Sequence, residues 1–421
     1  MSLLYPILVA CVGLPALCGV ASLLFLLLAA VFRPRHSRCN ASAAPISLAI
    51  IVPAHDEELV LASTLHSLRA QNYPATHFEI VVVADNCTDR TAAIAREQDA
   101  TVMERSHAAE RGKGYALNYA ITSLLQRPQL PEGFVIVDAD TLAAPDFLSC
   151  MSERLASTCD SRGFSAWQGR YGVLNAGDGW RAVLMAGAFD LVNHVKPLGR
   201  DALGLSVGLK GNGMAFTRAL AAALPWPGGS LTEDLDYSLE LARRFGLRVG
   251  YVPDARVKAQ MPITAEQAAS QRSRWEGGRL ALIRERALPL LLEGLRCRSL
   301  LLLDLAGDLL TPPLAELGAL VVVFALLTLG GLAAHLLPHP SYWLLAALFG
   351  VLGLPFYVLG GLRLSGAPPE VYTSLLRAPF YALWKFALLL SHVGAKRRSS
   401  EPEEWVRTAR APTSTPEAPP K

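Results

Sequence analysis

The first long segment of this chain carries no charge. From Leu3 to Phe32 there is no acidic or basic side chain, and a run of roughly 30 apolar residues is long enough to cross a bilayer as one helix. A cleaved signal peptide would need a basic segment before a short apolar stretch, and no Lys or Arg precedes Arg33. We therefore interpret residues 1–32 as a membrane anchor, with a signal peptide as the less favoured alternative.

The composition indicates that part of the protein surface is not exposed to water. Hydrophobic residues make up 52% and charged residues 18%, whereas soluble domains carry about 25% charged residues. A disordered or wholly soluble protein is therefore not expected. The net charge of +3 gives no electrostatic reason to expect nucleic acid as a partner. The seven cysteines are scattered without a C-x-x-C pair, so neither a disulfide framework nor a zinc site is expected, and a reducing compartment fits.

Further apolar segments lie near the other end of the chain. Two of them, Leu314–Leu337 and Tyr342–Leu362, are predicted to span the membrane. We interpret Ser299–Leu310 and the charge-interrupted run Val371–Val393 as interfacial helices. Residues 299–393 would then hold two spans, about 314–337 and 342–362, together with interfacial helices. Residues 394–421 form a basic and then Pro/Ser/Thr-rich tail, expected to be cytoplasmic and disordered.

Basic clusters set the expected orientation. Arg33, Arg35 and Arg38 follow the first span, and the cluster Lys396–Arg398 follows the last apolar run. Lys and Arg beside a span mark the cytoplasmic side. The sequence therefore predicts an integral protein of a membrane such as the bacterial inner membrane, with its central domain in the cytoplasm.

The residue pattern predicts an α/β domain over residues 45–286. Short apolar runs at Ile46–Val52, Glu79–Ala84 and Phe134–Val137 alternate with helical stretches such as Glu57–Gln71 and Gly114–Gln126. This alternation predicts a mostly parallel sheet that is buried on both faces. In such sheets, ligands bind beyond the carboxyl ends of the strands.

Each of these strands ends in acidic or polar residues. Taken singly, Asp56 fits a helix cap and Asp89 fits a turn residue as well as either fits a functional role. Asp138 and Asp140 are more informative, because residues two apart in an extended segment project to the same side. Both carboxylates can then face one cation, and hard oxygen ligands suit Mg²⁺ or Mn²⁺.

Four further motifs carry candidate site residues. Lys113 lies in a glycine-containing loop that opens a helix, where an anion can bind. The segment Gly208–Met214 is glycine-rich, and we interpret it as a site of close backbone approach or as a plain tight turn. Thr232, at the start of an acidic helix, is a candidate N-cap. Gln271, Arg274 and Trp275 lie at i, i+3 and i+4 and therefore share one helical face.

The set and order of these motifs resemble the membrane-bound family 2 glycosyltransferases, the superfamily of cellulose, chitin and hyaluronan synthases. The similarity covers roughly Ser47 to Arg286. The resemblance implies a GT-A catalytic domain, which is an α/β Rossmann-like fold with a mostly parallel sheet, flanked here by transmembrane helices. Two features depart from the processive synthases: there is no convincing gating loop between Gly277 and Leu300, and the membrane portion is small.

The resemblance also implies roles for residues of this chain. Asp138 and Asp140 would bind Mg²⁺ or Mn²⁺ and the donor diphosphate, and Asp234 would be the general base. The remaining donor-binding residues would be Ala54, His55, Glu57, Asp85 and Lys113. The acceptor and diphosphate residues would be Glu233, Gln271, Arg274 and Trp275.

The expected function is inverting, metal-dependent transfer from a nucleotide-sugar donor, such as a UDP-sugar, to a glycan or lipid-linked acceptor at the bilayer. Polysaccharide synthesis would add export partners. Single-sugar transfer to a lipid is the nearest alternative, because ceramide glucosyltransferase-like members resemble this pattern too. A nucleotidyltransferase and an inactive membrane scaffold are less favoured. Neither needs the whole set of motifs, since nucleotidyltransfer requires no Trp275 and a scaffold tolerates loss of Asp234.

Overall fold

The computed structural model describes residues 4–34, 44–157, 160–230, 232–261, 277–378 and 380. The described residues form two compact units. One unit is drawn from Met1–Pro34, Asp190–Gly204 and Arg286–Glu401, and the other from Arg35–Phe189, Leu205–Glu285 and Pro402–Lys421. We call the first the apolar unit and the second the α/β unit.

The α/β unit is built on one mixed sheet with the strand order β3-β2-β1-β4-β7-β6-β8-β5. Among the described residues, four of the seven strand pairs are parallel. The predicted α/β class with a mostly parallel sheet is therefore confirmed. The strands are β1 Leu48–Ala54, β2 Phe78–Asp85, β3 Thr101–Arg105, β4 Gly133–Ile136, β5 Thr141–Ala143, β6 Ala166–Val173, β7 Met214–Thr217 and β8 Gly250–Ala259.

Helices cover this sheet because their apolar positions recur on one face. In the helix Leu61–Arg69, the leucines at 61, 65 and 68 are fully buried, and burial of each contributes about 1.5–3 kcal/mol. The helix Glu233–Phe245 ends at Gly246, whose φ of +63° provides the left-handed C-terminal cap. The other helices of this unit are Thr91–Glu97, Lys113–Leu125, Phe147–Ser157, Trp180–Asp190 (whose last residue belongs to the apolar unit) and Arg218–Ala223.

The sheet brings the predicted acidic strand ends to one edge. β1 lies between β2 and β4 and is parallel to both, with Ala54 opposite Ala84 and Ile51 opposite Ile136. Asp85 at the end of β2 and Asp138 after β4 therefore lie at the same edge of the sheet. The order of strands and helices in the sequence predicts this edge, and the register confirms it.

Within the described part of the chain, the apolar unit contains three helices that are long and apolar enough to cross a membrane: Leu4–Val31, Leu314–Ala333 and Pro340–Ser365. They agree with the three predicted spans. Small residues let these helices approach closely, since a Cβ on Gly13 would lie only 2.4 Å from the Phe324 ring. The other helices described here are Lys196–Ala202, Leu288–Arg296, Leu300–Leu310 and Pro369–Ser374. The predicted interfacial segment Ser299–Leu310 is thus a helix, with Ser299 as its N-cap.

The apolar unit also contains an ion-pair cluster. Arg200 pairs with Asp304 at 2.5 Å and with Asp308 at 3.2 Å, and Lys196 pairs with Asp308 at 2.6 Å. The Arg200 side chain is only 4% exposed. The two cations are spaced i, i+4 along one helix, and the two acids are spaced i, i+4 along the other. The basic face of the first helix therefore contacts the acidic face of the second. This cluster ties the segment Asp190–Gly204 to the helix Leu300–Leu310.

One cysteine departs from expectation. Cys150, in the helix Phe147–Ser157, is disulfide-bonded. The scattered spacing of the cysteines gave no sign of this bond, because spacing alone does not fix connectivity.

Candidate active site

The end of β1 is held by the chain that follows β2. The His55 ring nitrogen Nδ1 lies 2.7 Å from the carbonyl oxygen of Asp85, and the backbone N–H of Glu57 donates to the Thr91 hydroxyl at 2.8 Å. Ala54 is buried at the last position of the strand. Of the predicted donor-binding residues, Ala54 therefore ends β1, and His55 and Glu57 lie in the loop after it, which contacts with Asp85 and Thr91 hold in place.

Asp56 has a structural role within this loop. Its φ is +53°, and its carboxylate accepts hydrogen bonds from the backbone N–H groups of Thr88 at 2.6 Å and Asp89 at 3.2 Å. Burial opposes the ionised form, but these bonds and the neighbouring His55 together lower the pKa of Asp56. Asp56 therefore ties the β1 and β2 loops together rather than capping the helix that follows it.

Asp85, at the end of β2, is buried and paired. Its Oδ1 accepts from Arg105 at 2.8 Å and from the Asn86 amide at 3.1 Å, and the residue is only 4% exposed. Arg105 also donates to the carbonyl and the carboxylate of Glu110. Sequence reasoning missed Arg105; the only available signal was a basic residue at the end of a strand that neighbours Asp85.

The two acids of the D-A-D motif lie between β4 and β5. Asp138 is about one-third exposed (29% of its side chain), whereas Asp140 is buried. Ala139 points into the fold, and its carbonyl accepts a hydrogen bond from the Thr64 hydroxyl at 2.7 Å. The chain turns at Ala139 and Asp140, so the extended geometry expected for the segment from Asp138 to Asp140 is not observed.

Lys113 links this motif to the acidic helix start. Its ammonium forms an ion pair with the Asp138 carboxylate and donates to the Gly211 carbonyl at 2.6 Å. Gly211 also adjoins Asp234, because a Cβ on this glycine would lie 3.3 Å from Asp234 Oδ2 and 3.5 Å from Lys113 Nζ. Lys113, Asp138 and Asp234 therefore surround one small space.

Thr232 does not cap the helix that begins at Glu233. It occupies the N-cap position without a side-chain hydrogen bond to the helix. Instead, Asp234 accepts from the N–H of Leu235 at 2.8 Å. The helix macrodipole still favours acids in this first turn.

Burial dominates the electrostatics of these groups. It raises the pKa of Glu233 to about 7, with repulsion from Asp234 adding to the shift. It also raises the pKa of Asp234, although Lys113 opposes this change. Burial would lower the pKa of Lys113, but Asp138, Glu233 and Asp234 together outweigh it, and that pKa is raised. The site thus holds the Lys113 ammonium beside two acids, Glu233 and Asp234, whose pKa values are raised.

The oxygen donors fit a divalent cation. The Asp138 carboxylate already accepts a positively charged partner, the Lys113 ammonium, and Asp140 follows two residues later on the same segment. Two carboxylates at a partly exposed edge of the sheet are ligands that suit Mg²⁺ and Mn²⁺. The residues present therefore fit the metal that the resemblance implied.

The structure thus brings together Lys113, Asp138, Glu233 and Asp234, with Asp140 adjacent in the chain. Ala54, His55, Glu57 and Asp85 form a second group at the same sheet edge. The predicted acceptor residues Gln271, Arg274 and Trp275 lie outside the described residues.

This arrangement of an α/β sheet with a charged site beyond its strand ends defines the class of ligand-binding α/β folds. The sequence model of the family described as glycosyltransferase like family 2 matches residues 44–278, more than half of the chain. The chain therefore belongs to the family 2 glycosyltransferases. The GT-A class expected from the resemblance agrees with this membership and with the observed sheet.

Curated relatives share the same region. The chain is 31% identical to the beta-monoglucosyldiacylglycerol synthase of Nostoc sp. (strain PCC 7120) over 258 residues, which cover 58% of this chain and 52% of the relative. It is 26% identical to the probable glycosyltransferase YdaM of Bacillus subtilis, covering 55% of this chain and 54% of the relative. The chain spans about half the length of these curated relatives.

Solved structures with similarity to the chain include two glycosyltransferase complexes. The mannosyltransferase PcManGT from Pyrobaculum calidifontis, in complex with GDP-Man and Mn²⁺, aligns with a TM-score of 0.48 and 20% identity, covering 83% of this chain and 99% of that chain. Glucosyl-3-phosphoglycerate synthase from Mycobacterium tuberculosis, with Mn²⁺, UDP-glucose and phosphoglyceric acid, aligns with a TM-score of 0.40 and 20% identity, covering 60% and 86%.

Proposed function

We propose that this chain is an inverting, metal-dependent glycosyltransferase that moves one sugar from a nucleotide-sugar donor to a lipid acceptor in the membrane. The observation that carries the proposal is the convergence of Lys113, Asp138 and Asp234 on one space, joined through Gly211. One end of this space offers a cation and metal-binding acids for a diphosphate, and the other offers a carboxylate for an acceptor hydroxyl.

The proposed position of the donor follows from the charges of the site. A nucleoside diphosphate gains negative charge as the glycosidic bond breaks, and a bound Mg²⁺ or Mn²⁺ supplies charge stabilisation there. Asp138 and Asp140 would hold that metal ion, and the Lys113 ammonium would offer a further positive charge. His55, Glu57 and Asp85 line the neighbouring strand ends, where we place the nucleoside, so that sugar and diphosphate reach Asp138.

The acceptor side follows from the position of Asp234. Its carboxylate would take the proton of the attacking hydroxyl, as a general base does. The oxygen then bonds to the anomeric carbon while the nucleoside diphosphate leaves from the opposite face. A single displacement inverts the configuration, so an α-linked donor gives a β-linked product. Burial raises the pKa of Asp234, which strengthens it as a base at neutral pH.

A lipid acceptor is favoured by two observations. Three helices among the described residues are long and apolar enough to cross a membrane, and relatives at 30–31% identity are beta-monoglucosyldiacylglycerol synthases. A glycan acceptor in polysaccharide synthesis remains the second candidate, supported by the motifs shared with cellulose and hyaluronan synthases. Trp275 would present the acceptor-facing aromatic surface in either case.

The test uses the full chain in liposomes that contain diacylglycerol. A panel of radiolabelled nucleotide sugars, including UDP-glucose, UDP-galactose and GDP-mannose, is added, and the products are separated by size. We expect one lipid-linked sugar and one nucleoside diphosphate per turnover, with no product from Asp234→Asn. A labelled polymer would instead favour the polysaccharide candidate, and release of pyrophosphate would indicate nucleotidyltransfer. No product with any donor in diacylglycerol or glycan-containing membranes would contradict the proposal.

A further inference from the structure

We propose that Asn212 is a positioning residue for the metal acids: its amide holds the backbone at Asp138 and, through Thr141, the carboxylate of Asp140. The inference rests on the proposed metal-dependent function. Asn212 belongs to the glycine-rich segment Gly208–Met214, whose sequence fits either a tight turn or a close backbone approach. The contacts of its side chain give the segment a more specific role.

Asn212 is completely buried between two glycines with positive φ, Gly211 at +78° and Gly213 at +63°. Its own carbonyl accepts from the buried amide of Gln168 at 2.8 Å, and the N–H of Gly213 donates to the carbonyl of Ile136 at 3.0 Å. The backbone on both sides of Asn212 is therefore fixed against β6 and β4. Because the backbone is held on both sides, the Asn212 side chain has little freedom to move.

The Asn212 amide spans the D-A-D-T segment. Its Oδ1 accepts from the backbone N–H of Asp138 at 3.1 Å, and its Nδ2 donates to the Thr141 hydroxyl at 2.8 Å. The Thr141 hydroxyl in turn donates to Asp140 Oδ1 at 3.2 Å. One buried side chain thus contacts the backbone of the first acid directly and reaches the carboxylate of the second through one hydroxyl.

The direction of these hydrogen bonds is fixed by the groups at both ends. A backbone N–H can only donate, so the oxygen of the Asn212 amide must face Asp138. The NH₂ group must then face Thr141, and because it only donates, the Thr141 oxygen accepts from it. The Thr141 proton is left for Asp140, whose carboxylate receives it as an acceptor. The relay therefore orients the Asp140 carboxylate.

Groups that orient metal ligands have a measurable effect on metal binding. Replacing such an outer partner costs about 10- to 100-fold in metal affinity or activity. A purely structural asparagine would behave differently, because its loss would lower the stability of the fold without changing the metal affinity of the molecules that remain folded. Metal binding and stability therefore separate the two roles.

The experiment compares Thr141→Val with Thr141→Ser in the purified full chain. Valine keeps the shape of threonine but cannot pass a hydrogen bond to Asp140, whereas serine keeps the hydroxyl. Free Mn²⁺ is titrated by electron paramagnetic resonance in the presence of UDP. The thermal unfolding midpoint and UDP binding without metal are measured in parallel. We expect Thr141→Val to weaken Mn²⁺ binding about 10- to 100-fold, Thr141→Ser to stay close to wild type, and metal-free UDP binding to be unchanged in both.

Asn212→Asp is the second variant, because it keeps the size of the side chain and replaces the NH₂ donor with an acceptor. We expect a loss of Mn²⁺ affinity at least as large as that of Thr141→Val. Wild-type Mn²⁺ affinity in folded Thr141→Val, or an equal loss in Thr141→Ser, would overturn the positioning role while leaving the proposed function intact. Failure of the wild-type chain itself to bind Mn²⁺ would overturn both.

Discussion

The carbonyl oxygen of Gly211 accepts a 2.6 Å hydrogen bond from the Lys113 ammonium, although 98 residues separate the two in sequence. Lys113 opens a helix after β3, and Gly211 precedes β7. The bond therefore joins the helix that follows the β3 edge of the sheet to a loop beside β4. It also brings the ammonium within reach of both Asp138 and Asp234.

Gly211→Ala should reduce the transfer rate. The new methyl would lie 3.3 Å from Asp234 Oδ2, so the Asp234 carboxylate must shift by a few tenths of an ångström, and 3.5 Å from Lys113 Nζ, which is an ordinary contact. We expect about a tenfold loss of kcat, since misplacement by a full ångström costs about 10²-fold.

Gly208→Ala is the matched control for Gly211→Ala. Gly208 also has a positive φ, +69°, but no atom lies within 4 Å of its Cβ position. Both variants bear roughly 1–2 kcal/mol of left-handed backbone strain. A similar kcat loss in the two would show that strain, rather than crowding of Asp234, is responsible.

The acidic edge of the sheet could be predicted because it depends on local patterns. Apolar runs, their acidic ends and the alternation with helices place Asp85 and Asp138 at one edge without any knowledge of packing. The start of the helix at Glu233 also follows from local chemistry. Predicting these features requires only the alternation of residues along the strands and the rule that the carboxyl ends of parallel strands lie at one edge of the sheet.

The partners of these acids could not be predicted. Arg105 and Asn212 are single residues far from Asp85 and Asp138 in sequence, and their positions depend on which strands become neighbours. Nothing in the local sequence indicates that β7 runs antiparallel beside β4, which is what brings Asn212 to Asp138. The segment Asp190–Gly204 likewise joins the apolar unit through Arg200 and Lys196, whose partners lie about 100 residues away.

Asp234→Asn should lower the transfer rate by about 10²- to 10⁴-fold, because an amide cannot act as the general base. Asparagine keeps the oxygen that accepts from the Leu235 N–H, so the helix should form normally. Donor binding, followed by the fluorescence of a nucleotide analogue, should be retained. Asp236→Asn, two residues further along the helix, should remain active; a reversed result would assign the base to Asp236.

Glu233 should make the stability of the protein depend on pH. Burial raises its pKa to about 7 in the folded chain, against 4.5 as the ordinary value. The folded state therefore binds more protons than the unfolded state between these values. Stability should be greatest below about pH 4.5 for this group and decrease as the pH rises through about 7.

Thermal unfolding in detergent between pH 5 and pH 8 measures this dependence. In Glu233→Gln the decrease between these values should be smaller, because the amide has no proton to lose. An identical pH dependence in the variant and the wild type would show that Glu233 does not retain its proton in the folded state.

The proposed topology predicts which positions an impermeant thiol reagent reaches in intact cells. In a cysteine-free background, cysteines at Ser42 and Ser400 should be shielded, because both follow basic clusters that favour the cytoplasm. A cysteine at Pro338, in the loop between the helices Leu314–Ala333 and Pro340–Ser365, should react. Labelling at Ser400 would mean that the segment Val371–Val393 crosses the membrane, contrary to the interfacial assignment.

Arg200→Met tests the ion-pair cluster of the apolar unit. Removing the guanidinium takes away the 2.5 Å partner of Asp304 and the 3.2 Å partner of Asp308. Breaking a buried ion pair costs about 3–5 kcal/mol, because the remaining charge stays buried without compensation. The Asp304 and Asp308 side chains are 19% and 27% exposed, so we expect a loss near the lower limit, about 3 kcal/mol, and a lower unfolding midpoint in detergent.

Two further variants separate charge from packing at this cluster. Arg200→Met combined with Asp304→Leu removes both charges, and it should recover much of the lost stability, because an apolar pair often replaces a buried ion pair at little cost. Arg296→Met, at an exposed position of the helix Leu288–Arg296, is the control and should change stability by less than about 0.5 kcal/mol. If the double variant is no more stable than Arg200→Met, the packing of the long arginine side chain, rather than its charge, holds Asp190–Gly204 against the helix Leu300–Leu310.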